Sequence, residues 1–80
     1  ILRQYASHFA DQGIRLNMIS PGGILGNQDT EFIQKFSQKV PLRRLGFKEE
    51  LVSTLSYLIA EENTYLIGQN IKVDGGIGLW

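Results

Sequence analysis

The chain has 80 residues, 42% of them hydrophobic, and its eight basic and eight acidic side chains cancel. That length allows one small domain at most, and the apolar fraction argues against disorder. No basic–aromatic interleaving suggests a nucleic-acid face, no apolar run approaches the roughly 18 residues of a membrane span, and without cysteine there is no disulfide, thiol nucleophile or thiolate metal site.

Ile1, Leu2, Tyr5, Ala6, Phe9 and Ala10 fall on one face of a helix that should reach about Gln12 and stop at Gly13, a residue suited to a left-handed terminus. No Ser, Thr, Asp or Asn caps its first turn. Position 1 therefore reads as the middle of an element, and the chain as the end of something longer. Ile14 to Ile19 reads as a short strand, apolar enough for the inside of a parallel sheet. It runs straight into Ser20-Pro21-Gly22-Gly23-Ile24. Two glycines there permit positive φ or a close approach to a ligand, and ligands bind at the carboxyl ends of strands in α/β sheets.

Ser20 to Gln28 is loop, followed by a helix over Thr30 to Lys39 with Asp29 at its cap. Phe32, Ile33 and Phe36 give that helix an apolar side, and a short helix after a flexible loop is a candidate lid. Val40-Pro41 breaks it. Arg43 to Gly46 connects to a longer helix over Lys48 to Glu62, with Leu51, Val52, Leu55, Leu58 and Ile59 as its buried stripe. Glu49 and Glu50 suit the positive end of that helix as solvated dipole partners. Asn63 to Gln69 is a turn, Asn70 to Asp74 a second strand, and Ile77 to Trp80 an apolar tail after Gly75-Gly76. Two strands joined through helices imply a parallel pair with a crossover, and hence an α/β fold.

Three blocks carry a resemblance: Gly13-Ile14-Arg15-Leu16-Asn17 through Ser20-Pro21-Gly22, Val40-Pro41-Leu42-Arg43-Arg44 leading to Glu49-Glu50, and Gly68-Gln69-Asn70-Ile71 with Val73-Asp74-Gly75-Gly76. In this order and spacing they resemble the C-terminal part of a short-chain dehydrogenase/reductase, an NAD(P)-dependent oxidoreductase with a Rossmann-type, doubly wound parallel sheet. The resemblance implies that residues 1–80 are the last part of one NAD(P)-binding domain, holding its last two strands, with residues 25–46 as the substrate-lid region.

It further implies that Pro21, Gly22, Gly23 and Ile24 lie beside the nicotinamide ring of NAD or NADP. The amide and carbonyl of Ile24 would bond the cofactor carboxamide, and Phe32 and Phe36 would belong to the lid. The family's catalytic Tyr-x-x-x-Lys and serine are not in this segment. Tyr5 is followed four positions on by Phe9, so the pair is expected before Ile1. Gly26 stands where a cofactor-touching threonine is common, which puts that contact in question. A homodimer or homotetramer, a small-molecule substrate and a cytoplasmic location complete what the resemblance implies, with no nucleic acid, membrane or metal partner. A noncatalytic binding or oligomerisation module of the same family is the competing reading.

Several residues carry a plainer alternative. Pro21 to Ile24 alone could be a turn closing a strand. Phe32 and Phe36 could line a substrate pocket or only pack the lid. Asn17 is read as tying down neighbouring backbone, His8 as a surface residue, and Asp74 as structural.

Overall fold

A computed structural model describes all residues, 1–80. Helix α1 covers Leu2–Phe9, and a 3-10 turn over Ala10–Gln12 carries it to Gly13, whose φ of 78° makes the left-handed stop that glycine accepts without a Cβ clash. Strand β1 covers Met18–Pro21 and strand β2 covers Asn70–Val73. They pair in parallel, with Met18 opposite Asn70 and Pro21 opposite Val73. Between them come α2, Thr30–Ser37, and α3, Lys48–Ile59. A parallel pair joined through helices is the expected α/β arrangement.

The first strand starts four residues later than its apolar run suggests. Ile14 to Asn17 have other partners: Ile14 N–H donates to Phe9 O, Leu16 O accepts from Gly68 N–H, and the Asn17 side chain spans two more backbone groups. A ladder forms only where β2 runs alongside, which is from Met18 onward. At the other end β2 stops at Val73, because Asp74 turns the chain and accepts the Gly76 N–H at 3.0 Å. Gly75 and Gly76 both have positive φ, and a Cβ on Gly75 would lie 2.6 Å from Val40 Cγ1. The Asp-Gly-Gly turn is thus packed on the Val40-Pro41 break, and the Asp74 carboxylate closes it through the Gly76 N–H.

Helix α2 is capped as expected, Asp29 Oδ1 accepting the Phe32 N–H at 2.8 Å, but it ends at Ser37. Helix α3 ends at Ile59 rather than Glu62, with Ala60 extended and Asn63 Nδ2 donating to Tyr57 O at the terminus. Its expected buried stripe is mostly uncovered. Leu58 is buried, whereas Val52, Leu55 and Ile59 are exposed. The core is small: Ala6, Val40, Leu45 and Leu58 are the buried residues. Val40 precedes the connector and Leu45 lies within it, so the best-packed part of the chain lies beside the end of β1 and β2.

Candidate functional site

The site begins where β1 ends. Gly22 N–H donates to Val73 O at 2.9 Å, extending the ladder one step past Pro21. A Cβ on Gly22 would fall 2.7 Å from Asp74 Cβ, and one on Gly23 would fall 2.6 Å from Phe36 Cζ. Neither glycine has positive φ. Of the two uses the sequence allowed, positive φ is absent and close approach is present: Asp74 packs on one glycine and the Phe36 ring on the other.

Ile24 then meets Gly46 in a parallel bridge, with Gly46 N–H donating to Gly23 O at 2.9 Å and Leu25 N–H to Gly46 O at 2.8 Å. In that pattern the flanking residues supply the bonds, and Ile24's own N–H and C=O point away from Gly46. The Ile24 N–H has no hydrogen-bond partner within the chain, and its carbonyl accepts only from Gln28 Nε2, at 2.8 Å. The other end of the same side chain, Gln28 Oε1, accepts the Gly26 N–H at 2.7 Å. One carboxamide thus spans the loop from Ile24 to Gly26, bonding a peptide acceptor and a peptide donor.

Phe36 and Phe32 stack at 5.8 Å between ring centroids, but they are not equivalent. Phe36 is half-buried and lines a small cleft with Gly23, Ile24, Gly46 and Asp74. Phe32 is exposed and lies outside the cleft. Pro21 is exposed at the strand end. Of the six residues singled out from sequence, the cleft joins Gly23, Ile24 and Phe36, Gly22 is bonded to Val73 and packed on Asp74, and Pro21 and Phe32 lie outside the cleft.

The Gly46 side of the bridge is held by residues whose role the sequence did not reveal. Arg44 Nη1 and Nη2 bond both oxygens of Glu50 at 2.8 and 3.1 Å, and Glu50 Oε1 also accepts the Phe47 N–H at 2.8 Å. Glu50 is therefore more than a solvated dipole partner. It ties the first turn of α3 to the connector that carries Gly46. The Arg44 hydrogen bonds, helped by the Phe47 amide, hold the Glu50 carboxyl at a pKa of about 2, below its ordinary 4.5. The same hydrogen bonds and charge raise the Arg44 guanidinium further above its ordinary range. The signal that could have found this pair is the six-residue spacing of an arginine before a helix and a glutamate at its third position.

Arg43 has φ 62°, the left-handed region that a non-glycine residue seldom adopts. Its N–H donates to Val40 O at 2.8 Å, and its guanidinium sits 4.9 Å from the Trp80 ring centroid. Asn17 ties backbone as expected: Nδ2 donates to Leu66 O at 2.9 Å and Oδ1 accepts from Gln69 N–H at 3.0 Å. His8 is exposed. No cluster of three or more His, Asp or Glu side chains is placed to hold a metal ion, and no helix is long and apolar enough to cross a membrane.

A family model described as enoyl-(acyl carrier protein) reductase matches residues 1–78. Glucose 1-dehydrogenase of Gluconobacter oxydans (strain 621H) is 35% identical over 86 aligned positions, covering 100% of this chain and 32% of that protein. Glucose 1-dehydrogenase 2 of Bacillus subtilis (strain 168) is 40% identical over 80 positions, covering 94% and 31%. Among solved structures, a short chain dehydrogenase from Leptospira borgpetersenii serovar Hardjo-bovis (strain JB197), crystallised with bound NAD+, superposes with a TM-score of 0.88 at 42% identity. That match covers 95% of this chain and 30% of the other. The chain thus spans under a third of the length of each of these relatives.

Proposed function

The chain belongs to the short-chain dehydrogenase/reductase family, and from that premise we propose that it is the C-terminal part of an NAD(P)-dependent oxidoreductase acting on a carbonyl or alcohol group. Within it, this segment supplies the nicotinamide-side loop, the lid and contacts to further copies of the protein. One observation carries the reading: beyond the end of β1, the Ile24 peptide turns its N–H and C=O away from the bridge to Gly46, leaving the N–H without a partner. A carboxamide offers one acceptor and two donors, which answers that peptide edge without an ionisable group near the reacting carbon. Gln28 supports the fit, since its own carboxamide already bonds the same carbonyl.

Bound NAD or NADP supplies the hydride acceptor or donor. Ile24 orients the cofactor's reactive end through its backbone. Gly23, lacking a side chain, lets the Phe36 ring lie directly on the loop. That apolar cover excludes water from the cleft when α2 is down, the role of a lid. The proton that accompanies the hydride moves on groups outside these residues, and the Tyr-x-x-x-Lys pair expected before Ile1 is the group for it.

The test uses the full-length protein that contains this chain. Dinucleotide binding by calorimetry, followed by nicotinamide absorbance with a panel of carbonyls and alcohols, should give binding and turnover with at least one cofactor. Absence of binding to both NAD(H) and NADP(H) would remove the reading. Binding without turnover, together with a missing tyrosine–lysine pair, would favour the noncatalytic module. The exposed apolar residues Tyr5, Leu55, Ile59 and Trp80 ask for a covering surface under either reading, so the tyrosine–lysine pair upstream is what separates the two.

A further inference from the structure

The Gln28 side chain is half-buried and makes two hydrogen bonds, Nε2 to Ile24 O at 2.8 Å and Oε1 from Gly26 N–H at 2.7 Å. Both partners are peptide groups of the loop that leaves β1, and the Ile24 carbonyl has no other donor. A primary carboxamide is thus already seated on the edge of the loop that the nicotinamide carboxamide would use. We propose that Gln28 is a built-in stand-in for the ligand, holding the Ile24 carbonyl in the free protein and leaving it when the cofactor carboxamide arrives. The proposal rests on the reading of this loop as the nicotinamide-facing edge.

The competition follows from the chemistry. Gln28 Nε2 and the N–H of a nicotinamide carboxamide are the same kind of donor, and both would reach the Ile24 carbonyl from the outer edge of the loop; the oxygen has two lone pairs, so the competition is for the one on that edge. Gln28 is attached only four residues away, so it competes at a high effective concentration and lowers the apparent affinity for the incoming group. Its place in the chain adds a consequence. Gln28 immediately precedes Asp29, the cap of α2, so its release frees the strap that joins the loop to the lid helix. Gly26 fits the same arrangement: in place of a side chain that could contact the cofactor it offers its N–H, which Gln28 takes.

The experiment compares the full-length protein with Gln28→Ala and Gln28→Met. The methionine variant keeps the length and packing of the side chain but cannot hydrogen-bond as an amide. Affinities are measured by calorimetry for the preferred dinucleotide and for the ADP-ribose half, carrying the 2′-phosphate if the dinucleotide does. ADP-ribose lacks the carboxamide and reports only the rest of the site. Removing a competitor worth one or two hydrogen bonds should tighten dinucleotide binding about three- to tenfold in both variants and leave ADP-ribose unchanged. Unchanged or weaker dinucleotide binding would overturn the proposal, the weaker case making Gln28 a cofactor contact. An equal change for both ligands would overturn it too, as a general loosening of the loop. If the unaltered protein binds neither NAD nor NADP, the site reading itself fails and this inference with it.

Discussion

Asn17 shows how one side chain can replace a length of ladder. Its amide donates to Leu66 O and accepts from Gln69 N–H, so it holds the turn before β2 against the approach to β1. Without it, both backbone groups lose their partners, the Leu66 carbonyl in a part-buried position and the Gln69 N–H in an exposed one. Gln69 matters doubly, because its own carbonyl accepts the Met18 N–H that opens the parallel ladder. Asn17→Ala in the full-length protein should therefore cost about 1–3 kcal/mol of stability. Urea unfolding followed by fluorescence measures this, and a change below a few tenths of a kcal/mol would mean the two bonds are readily replaced by water. Asn17→Asp is a useful companion. It keeps the acceptor for Gln69 N–H but turns the donor facing Leu66 O into a repelling oxygen, so it should not rescue the loss.

At the scale of elements, the connector between α2 and α3 is held by the buried Val40 and Leu45 together with one ion pair. Arg44 in the connector pairs with Glu50 in the first turn of α3, and their side chains remain 42% exposed, so solvent screens the pair. The carboxyl of Glu50 nevertheless sits at about 2 against an ordinary 4.5. A depressed folded-state value means the stabilisation is fully present above about pH 4.5 and is lost as pH falls toward 2. Glu50→Gln should therefore flatten the acid limb of the stability profile between those limits and have a smaller effect on its slope at neutral pH. Thermal midpoints taken across pH 2 to 7 would show it, and an unchanged acid limb would mean the pair is fully screened. The helices were legible in the sequence because their signals are local: the apolar period of α1, Gly13 at its stop, Asp29 at the cap of α2, and Pro41 after its end. The start of β1 was not, since Ile14 to Asn17 have strand-like composition and only the position of β2 decides where pairing begins. Of the cleft's lining, Gly23, Ile24 and Phe36 were singled out by local signals in the sequence. Gln28 and the Arg44–Glu50 pair were hidden, because each depends on how the loop folds back on itself. Phe32 and Phe36 look alike in sequence, and only the rotation of α2 over Gly23 separates them.

At the scale of the whole molecule, surface area bears on whether these residues can stand alone. The chain exposes 6240 Å², whereas a folded monomer of this mass exposes about 4,900 Å². Its radius of gyration is 15.5 Å, against about 12 Å for a compact domain of 80 residues. Only four residues are buried, and the sheet has two strands with both outer edges open. Helices of eight, eight and twelve residues cannot persist in water without a packed face. The apolar sides of α1 and α3 are the faces in question, and Tyr5, Val52, Leu55 and Ile59 leave them uncovered. A two-stranded parallel sheet gains too little from its own ladder to compensate for ordering the crossover between the strands. The isolated 80 residues should therefore lack a cooperative thermal transition, show a weak near-ultraviolet signal from Trp80, bind an apolar dye, and give no NAD(P)H-dependent turnover. Circular dichroism with dye fluorescence and a nicotinamide absorbance assay check all of this on one sample. A sharp melt from a verified monomer would show that the exposed faces are tolerated. Turnover by that same species would place the proton-transfer group inside these residues, where Tyr5 lacks the lysine partner its phenol would need.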